Sequence, residues 1–249
     1  MDLMITTLAE RPELRPLLWE MPDTWESFIG EDPVGWANIG RIMAELPEYV
    51  LVATDGPEGP IVAKAFSVPF VLDMDGRREL PDRGWDQVVL WAFSDLRHGR
   101  RPDTVSAVEI TVSSDHLGRG ISGRMLHALR ELVRGRGFTQ LVAPVRPSAK
   151  SAEPEAVMAE YAFRKRDGDG LPHDPWLRVH ARAGGVLEKV APASMTVSGS
   201  TEEWRRWTGL AFDVSGPLHV PGALVPVHVE AERGYAVYVE PNVWVRHRL

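Results

Sequence analysis

The chain has 249 residues, of which 44% are hydrophobic and 25% charged, the proportions of an ordinary globular protein. Its net charge of −7 argues against a general nucleic-acid binder, whose footprint is basic. With no cysteine it can have no disulfide, thiol nucleophile or thiolate metal site, and no signal peptide or apolar run of membrane length stands out. The expectation is one cytoplasmic domain spanning 1–249, with no metal, no nucleic-acid partner and no membrane partner.

Leu3 to Leu8 reads as a first strand. Leu14, Leu17, Leu18, Met21, Trp25, Phe28 and Ile29 fall near helical spacing, although Pro12, Pro16 and Pro22 interrupt them. Trp36, Ile39, Met43 and Leu46 mark a further helix before Pro47. Tyr49 to Thr54 and Ile61 to Leu72 are strands joined by the turn Asp55-Gly56-Pro57-Glu58-Gly59-Pro60. Residues 73–103 then hold a helix, Trp85 to Leu96. The basic run from Arg97 to Arg101, like Arg164-Lys165-Arg166 later, reads first as a solvated face.

The next stretch organises the chain. Val108, Ile110 and Val112 alternate with Glu109 and Thr111, the period of a strand with two unlike faces. Ser113 to Leu117 make a polar turn, Gly118, Gly120 and Gly123 space a loop, and Ile121, Met125, Leu126, Leu129, Leu132 and Val133 form a helical stripe. Such a loop delivers free backbone N–H groups at a helix N-terminus, a ready site for phosphate. A dinucleotide fingerprint fits poorly. Five residues separate Val112 from the first glycine, and the next strand, 139–145, ends on Arg146 rather than an acid. The nucleotide P-loop fails as well, since no Gly-Lys-Ser/Thr follows.

Beyond the strand at 139–145 lies a second unusual stretch, 147–172, with a helical segment from Glu155 to Tyr161. Asp174 and Pro175 make an N-cap and first-position pair for a helix from Trp176 to Ala183. The last part, 198–249, follows a strand from Val186 to Val197. It reads as a short helix around Trp204 and Trp207, then turns and strands at Tyr235–Val239 and Val243–Val245.

Leu117-Gly118-Arg119-Gly120-Ile121-Ser122 after a β-strand resembles the pyrophosphate loop of the GNAT superfamily of acetyl-CoA-dependent N-acyltransferases, written Gln/Arg-x-x-Gly-x-Gly/Ala. Leu117 departs at the first position and Ser122 at the last; neither removes a backbone donor. His180-Ala181-Arg182-Ala183-Gly184-Gly185 fits the frame of the family's later Tyr-x-x-x-Gly-Phe, with His180 at the tyrosine position. The resemblance implies an α/β fold of the α+β kind: a mixed, mostly antiparallel twisted sheet flanked by helices and splayed between the central and fifth strands. The stretches 73–103 and 147–172 would be insertions in it.

The resemblance also implies transfer of an acetyl group from acetyl-CoA, as co-substrate, to an amine of a small-molecule or peptide acceptor. Leu117, Gly118, Arg119, Gly120, Ile121, Ser122 and Gly123 would receive the pyrophosphate, and either basic run could meet the ribose phosphate. The backbone of Ile110 and Val112 would receive the pantetheine arm, with a backbone N–H polarising the thioester carbonyl. Glu109 is the candidate base, with a solvated strand carboxylate as its plain alternative. His180 is the candidate acid for the departing thiolate, with a packed histidine as its alternative. Trp25 and Trp36 fall where the family roofs the acceptor pocket. A homodimer stays open, and so does a non-catalytic coenzyme-A-binding or sensing domain of the same fold.

Overall fold

The computed structural model describes residues 2–249. Its nine strands form one sheet. On one side lie β1 (Leu3–Thr7), β2 (Val50–Asp55), β3 (Ile61–Phe70) and β4 (Thr104–Val112), each antiparallel to the next. On the other, β5 (Gln140–Val145) runs antiparallel to β9 (Tyr235–Arg248), which also carries β6 (Val186–Ser200) and β8 (Val227–Glu230), with β7 (Gly216–Leu218) outermost. The halves meet at the sheet's parallel pair, β4 with β5.

That pair is short. Only Val105 with Leu141 and Ser106 with Val142 stand in register, and beyond them the strands separate. Two local features cause the splay. Phe66 faces Glu109 but Ser67 faces Ala107, so Val108 is an extra residue, a bulge that bends β4. On β5, Leu249 donates to Thr139 O, which sets the alternation: odd-numbered residues bond to β9, while Gln140, Val142 and Pro144 face β4. Pro144 has no N–H to offer where the next bond would form.

Among the described residues six α-helices flank the sheet: α1 (Pro33–Glu45), α2 (Gly84–Arg97), α3 (Ile121–Gly135), α4 (Met158–Ala162), α5 (Pro175–Arg182) and α6 (Thr201–Thr208). Asp32 caps α1 by accepting from Val34 and Gly35, Asp174 caps α5, and Ser200 with Glu203 forms a capping box for α6. The main core lies between the sheet and its helices. A smaller one gathers Phe28, Val197, Trp204, Phe212 and Tyr238, so the C-terminal part has its own apolar centre. No helix among the described residues is long and apolar enough to cross a membrane.

Several sequence expectations change. The apolar residues from Leu14 to Ile29 do not make an α-helix: three 3-10 turns, Pro12–Leu14, Pro16–Trp19 and Ser27–Glu31, replace it, and Trp25 lies between turns. Pro12, Pro16 and Pro22 remove the donors and the room a continuous helix would need. The segment expected to be helical from Glu155 starts only at Met158. The two short C-terminal strands are one continuous β9, and β6 runs on to Ser200. The bulge at Val108 also interrupts the strict alternation read along this strand.

Candidate active site

β4 runs out through a 3-10 turn, Ser114–His116, into an exposed loop before α3. Gly118 has φ +74° and Gly120, the N-cap residue of α3, has φ +71°, the left-handed region where glycine carries no Cβ penalty. The first N–H groups of α3 receive no side-chain cap, and a Cβ built at Gly118 or Gly120 would meet no atom within 4 Å. The loop is an open cradle of donors at the positive end of a helix, which fits a pyrophosphate. Arg119 and Leu117 are exposed on it.

The backbone of β4 leads from this loop into the splay. Ser113 donates its N–H to Val62 O, so by alternation Thr111 and Glu109 bond to β3, while Ile110 and Val112 turn their N–H and C=O groups toward the gap. At the bulge the freed carbonyl of Val108 accepts from the Trp85 indole N–H at 2.6 Å. Between the separated strands opens a cavity of about 610 Å³, walled by Ala107 to Ile110 on one side and Ala143 to Arg146 on the other. The indoles of Trp19, Trp25, Trp36, Trp85 and Trp176 also line it. Trp25 and Trp36 both reach the cavity, Trp25 from outside any helix.

Glu109 stands on this wall with its side chain 16% exposed. Its Oε1 accepts from Thr111 Oγ1 at 2.7 Å, and Thr111 accepts from the Trp25 indole N–H at 2.9 Å. Lys64 Nζ lies 3.8 Å from the same oxygen and 3.9 Å from Asp23. Burial pushes the Glu109 carboxyl above its ordinary range, against the opposing pull of Lys64 and the Thr111 hydrogen bond. A carboxylate with a raised pKa on a cavity wall is able to accept a proton from an incoming ammonium.

Opposite, Glu240 of β9 is 1% exposed and fully engaged. Arg146 Nε and the Tyr238 hydroxyl donate to its Oε2 at 2.9 and 2.8 Å, and Asn242 donates to its Oε1 at 2.9 Å.

His180 also reaches the wall, from α5, but not as expected. It is 2% exposed, its Nδ1 is 3.0 Å from Nε2 of His247, and the Trp176 ring packs against it at 4.7 Å between centroids. Burial first, then His247, depresses its pKa to about 3, and burial with the nearby charge of Arg130 takes His247 to about 4. Both rings are neutral at physiological pH and share one hydrogen bond. The expectation of a proton donor with an ordinary pKa is therefore corrected: water has been excluded and the charged form with it. Gly185 serves the same pairing, because a Cβ there would stand 2.7 Å from the His247 ring.

The structure thus gathers Glu109, Ile110 and His180 around one cavity, while Leu117 to Gly123 form the cradle at the end of β4. Lys64, Thr111, Asp32, Arg146 and Glu240 were not singled out from the sequence. Of these, only Asp32 carried a local signal, as an Asp directly before a proline at a helix start.

No family model matches the chain. An arginine N-acetyltransferase of Aspergillus versicolor is 32% identical to it, across 98% of this chain and 93% of the relative. Among solved structures, the loading GNATL domain of CurA from Lyngbya majuscula superposes with a TM-score of 0.61 at 17% identity, over 99% of this chain and 97% of that one. The GphF GNAT-like decarboxylase in complex with isobutyryl-CoA gives 0.53 at 14% identity, over 100% and 99%. These two share the fold; the curated relative shares the sequence over nearly its whole length. The chain belongs to the GNAT superfamily of N-acetyltransferases.

Proposed function

We propose that the protein transfers an acetyl group from acetyl-CoA directly to a primary amine of a small cationic acceptor, in the manner of its arginine-acetylating relative. The observation that carries this reading is the splay itself: Ile110 and Val112 present unused backbone groups to a cavity on whose wall Glu109 stands. A cavity of about 610 Å³ suits a small molecule.

The coenzyme brings an acyl group already activated as a thioester. The N–H groups from Leu117 to Gly123 hold its pyrophosphate, and Ile110 and Val112 pair with its pantetheine arm as a strand pairs at a sheet edge. An N–H turned into the gap by Val112 stands ready to polarise the thioester carbonyl. Glu109 takes a proton from the acceptor's ammonium, with the Trp25–Thr111 hydrogen-bond chain fixing its orientation. His180, neutral and tied to His247, shapes the wall beside the reacting centre; the departing thiolate takes its proton from water or from the Glu109 carboxyl. Positioning supplies much of the acceleration in such a transfer.

Free-thiol release from acetyl-CoA over a panel of amines tests the reading. Release that depends on the amine supports it. A melting temperature raised by acetyl-CoA with no amine consumed would instead indicate a binding or sensing domain.

A further inference from the structure

Beyond the Ser106–Val142 pair, the gap between β4 and β5 begins with two small side chains. Ala107 on one strand and Ala143 on the other both line the cavity. At this narrow end stands the indole of Trp85, whose N–H holds the bulge carbonyl of Val108 at 2.6 Å. The far edge of the same ring lies against α1, where a Cβ on Gly35 would stand 3.3 Å from it. The indole thus reaches from β4 to α1 across the inner end of the cavity.

Trp85 has little freedom to leave. Its backbone N–H donates to Ser194 Oγ at 2.9 Å, and Ser194 of β6 is completely buried. Gly84, just before it, has φ +30° and passes so close to Ser194 that a Cβ would overlap its hydroxyl at 2.2 Å. Pro81 O accepts from the Trp244 indole at 2.8 Å, and Asp82 O accepts from the Ala193 N–H at 3.1 Å. The start of α2 is therefore stitched to β6 and β9, in the half of the sheet that carries β5, while its indole grips β4 in the other half. Asp86, the next residue, is 2% exposed and turned away from the cavity, its carboxyl pushed up chiefly by burial. Trp85 alone represents α2 on the cavity wall.

The direction of the coenzyme gives this end of the cavity a role. With the pyrophosphate in the loop after Val112 and the pantetheine arm along Val112 and Ile110, the thioester end is directed toward Val108. We propose that Trp85 is a specificity-determining residue: its indole closes the acyl end of the gap and restricts the transferred group to a short chain, acetyl in preference to longer acyl groups. This role rests on the acetyl-transfer reading above and concerns the acyl-CoA, not the amine. Ala107 and Ala143 keep bulky side chains out of the gap beside the bulge, and the ring, held at both edges, stops a longer chain from continuing along β4.

The test compares acetyl-CoA with hexanoyl-CoA as substrates over the panel of amines, and measures by calorimetry, without amine, the binding of the unreactive thioethers S-ethyl-CoA and S-hexyl-CoA. The variants are Trp85→Ala and Trp85→Phe in the full chain. For the wild type, kcat/KM should fall by about tenfold or more from acetyl-CoA to hexanoyl-CoA. S-hexyl-CoA should bind no better than S-ethyl-CoA, although each extra methylene would add about fourfold if it were buried. In Trp85→Ala the space left by the indole admits the longer chain, so both ratios should shift toward the six-carbon group by about tenfold or more, with Trp85→Phe between. Affinity for S-ethyl-CoA should change little, because the cradle from Gly118 to Ser122 is untouched. Any general loss of rate from the freed Val108 carbonyl cancels in the ratios. If Trp85→Ala does not melt cooperatively, Trp85→Phe decides alone.

A wild type that uses both acyl groups equally, or a preference for acetyl that both variants retain, overturns the role of Trp85 and leaves the transfer reading standing. If no amine is acylated but the variants shift thioether binding as stated, the acyl stop stands and the transfer reading falls. If no amine is acylated and the thioether ratio is the same in all three proteins, both are overturned.

Discussion

The Thr111 hydroxyl donates to Glu109 Oε1 at 2.7 Å, two positions along the same strand, with Lys64 Nζ 3.8 Å from that oxygen. The pair fixes the orientation of the one cavity-wall carboxylate on β4. Burial raises its pKa while Lys64 restrains the rise, so the acid limb of kcat/KM should lie above the ordinary carboxylate range. The base works only when ionised, so activity rises with pH through this limb. Glu109→Gln should lower kcat by about 10²-fold with acetyl-CoA affinity little changed. Lys64→Met should move the limb to higher pH, and Lys64→Arg should restore much of its position. A limb unmoved in Lys64→Met would remove Glu109 from the reaction.

Gly120→Asp should abolish coenzyme A binding. Its φ of +71° strains any side chain, but no atom lies within 4 Å of the new Cβ, so the global fold should survive. The carboxylate would stand in the cradle and repel the pyrophosphate. Unchanged affinity by calorimetry, in a variant that melts cooperatively, would displace the phosphate site from this loop.

His180 and His247 predict acid lability. Their folded pKa values of about 3 and 4 lie below the ordinary 6.5, so the unfolded chain takes up protons first. The stability this pair provides is present above pH 6.5 and is lost as pH falls from there to about 4 for His247 and about 3 for His180. His180→Phe should flatten the fall in melting temperature between pH 7 and pH 5 while the kcat profile keeps its shape near neutrality. An alkaline limb that disappears in this variant would revive His180 as an acid.

Asp86 predicts the opposite slope. A carboxyl raised from 3.8 to about 8 stabilises the fold only while protonated, so its contribution is complete below about pH 3.8 and is lost as pH rises to about 8. Asp86→Asn should therefore melt above the wild type at pH 8, by about 2–4 °C for each kcal/mol of relieved charge, with the two converging near pH 4. Equal melting temperatures at pH 8 would mean that Asp86 ionises freely.

The parts of the site legible in the sequence were those written locally. Gly118, Gly120 and Gly123 announce a loop with free N–H groups, and the stripe from Ile121 to Val133 announces the helix behind it, because both patterns are local in the chain. The bulge at Val108 was not legible, since alternation looks unbroken until β3 supplies the register. Pro144 gave no warning of its role either: its missing N–H matters only because alternation turns it toward β4. Asp32 and Glu240 reach the cavity wall from distant parts of the chain, and only the α1 cap of Asp32 shows locally. The His180–His247 bond spans 67 positions, so a histidine expected to titrate normally proved buried against another. The failed helix between Leu14 and Ile29 shows apolar spacing overruled by three prolines.

The most direct measurement is a crystal structure with a non-reactive acetyl-CoA analogue bound. The account predicts the pyrophosphate on the N–H groups of Gly118 to Ser122, the pantetheine arm against Ile110 and Val112, and the acetyl carbon in the gap beside Glu109. A coenzyme bound elsewhere, or an acetyl group lying away from Glu109 with the gap between β4 and β5 unfilled, would contradict it.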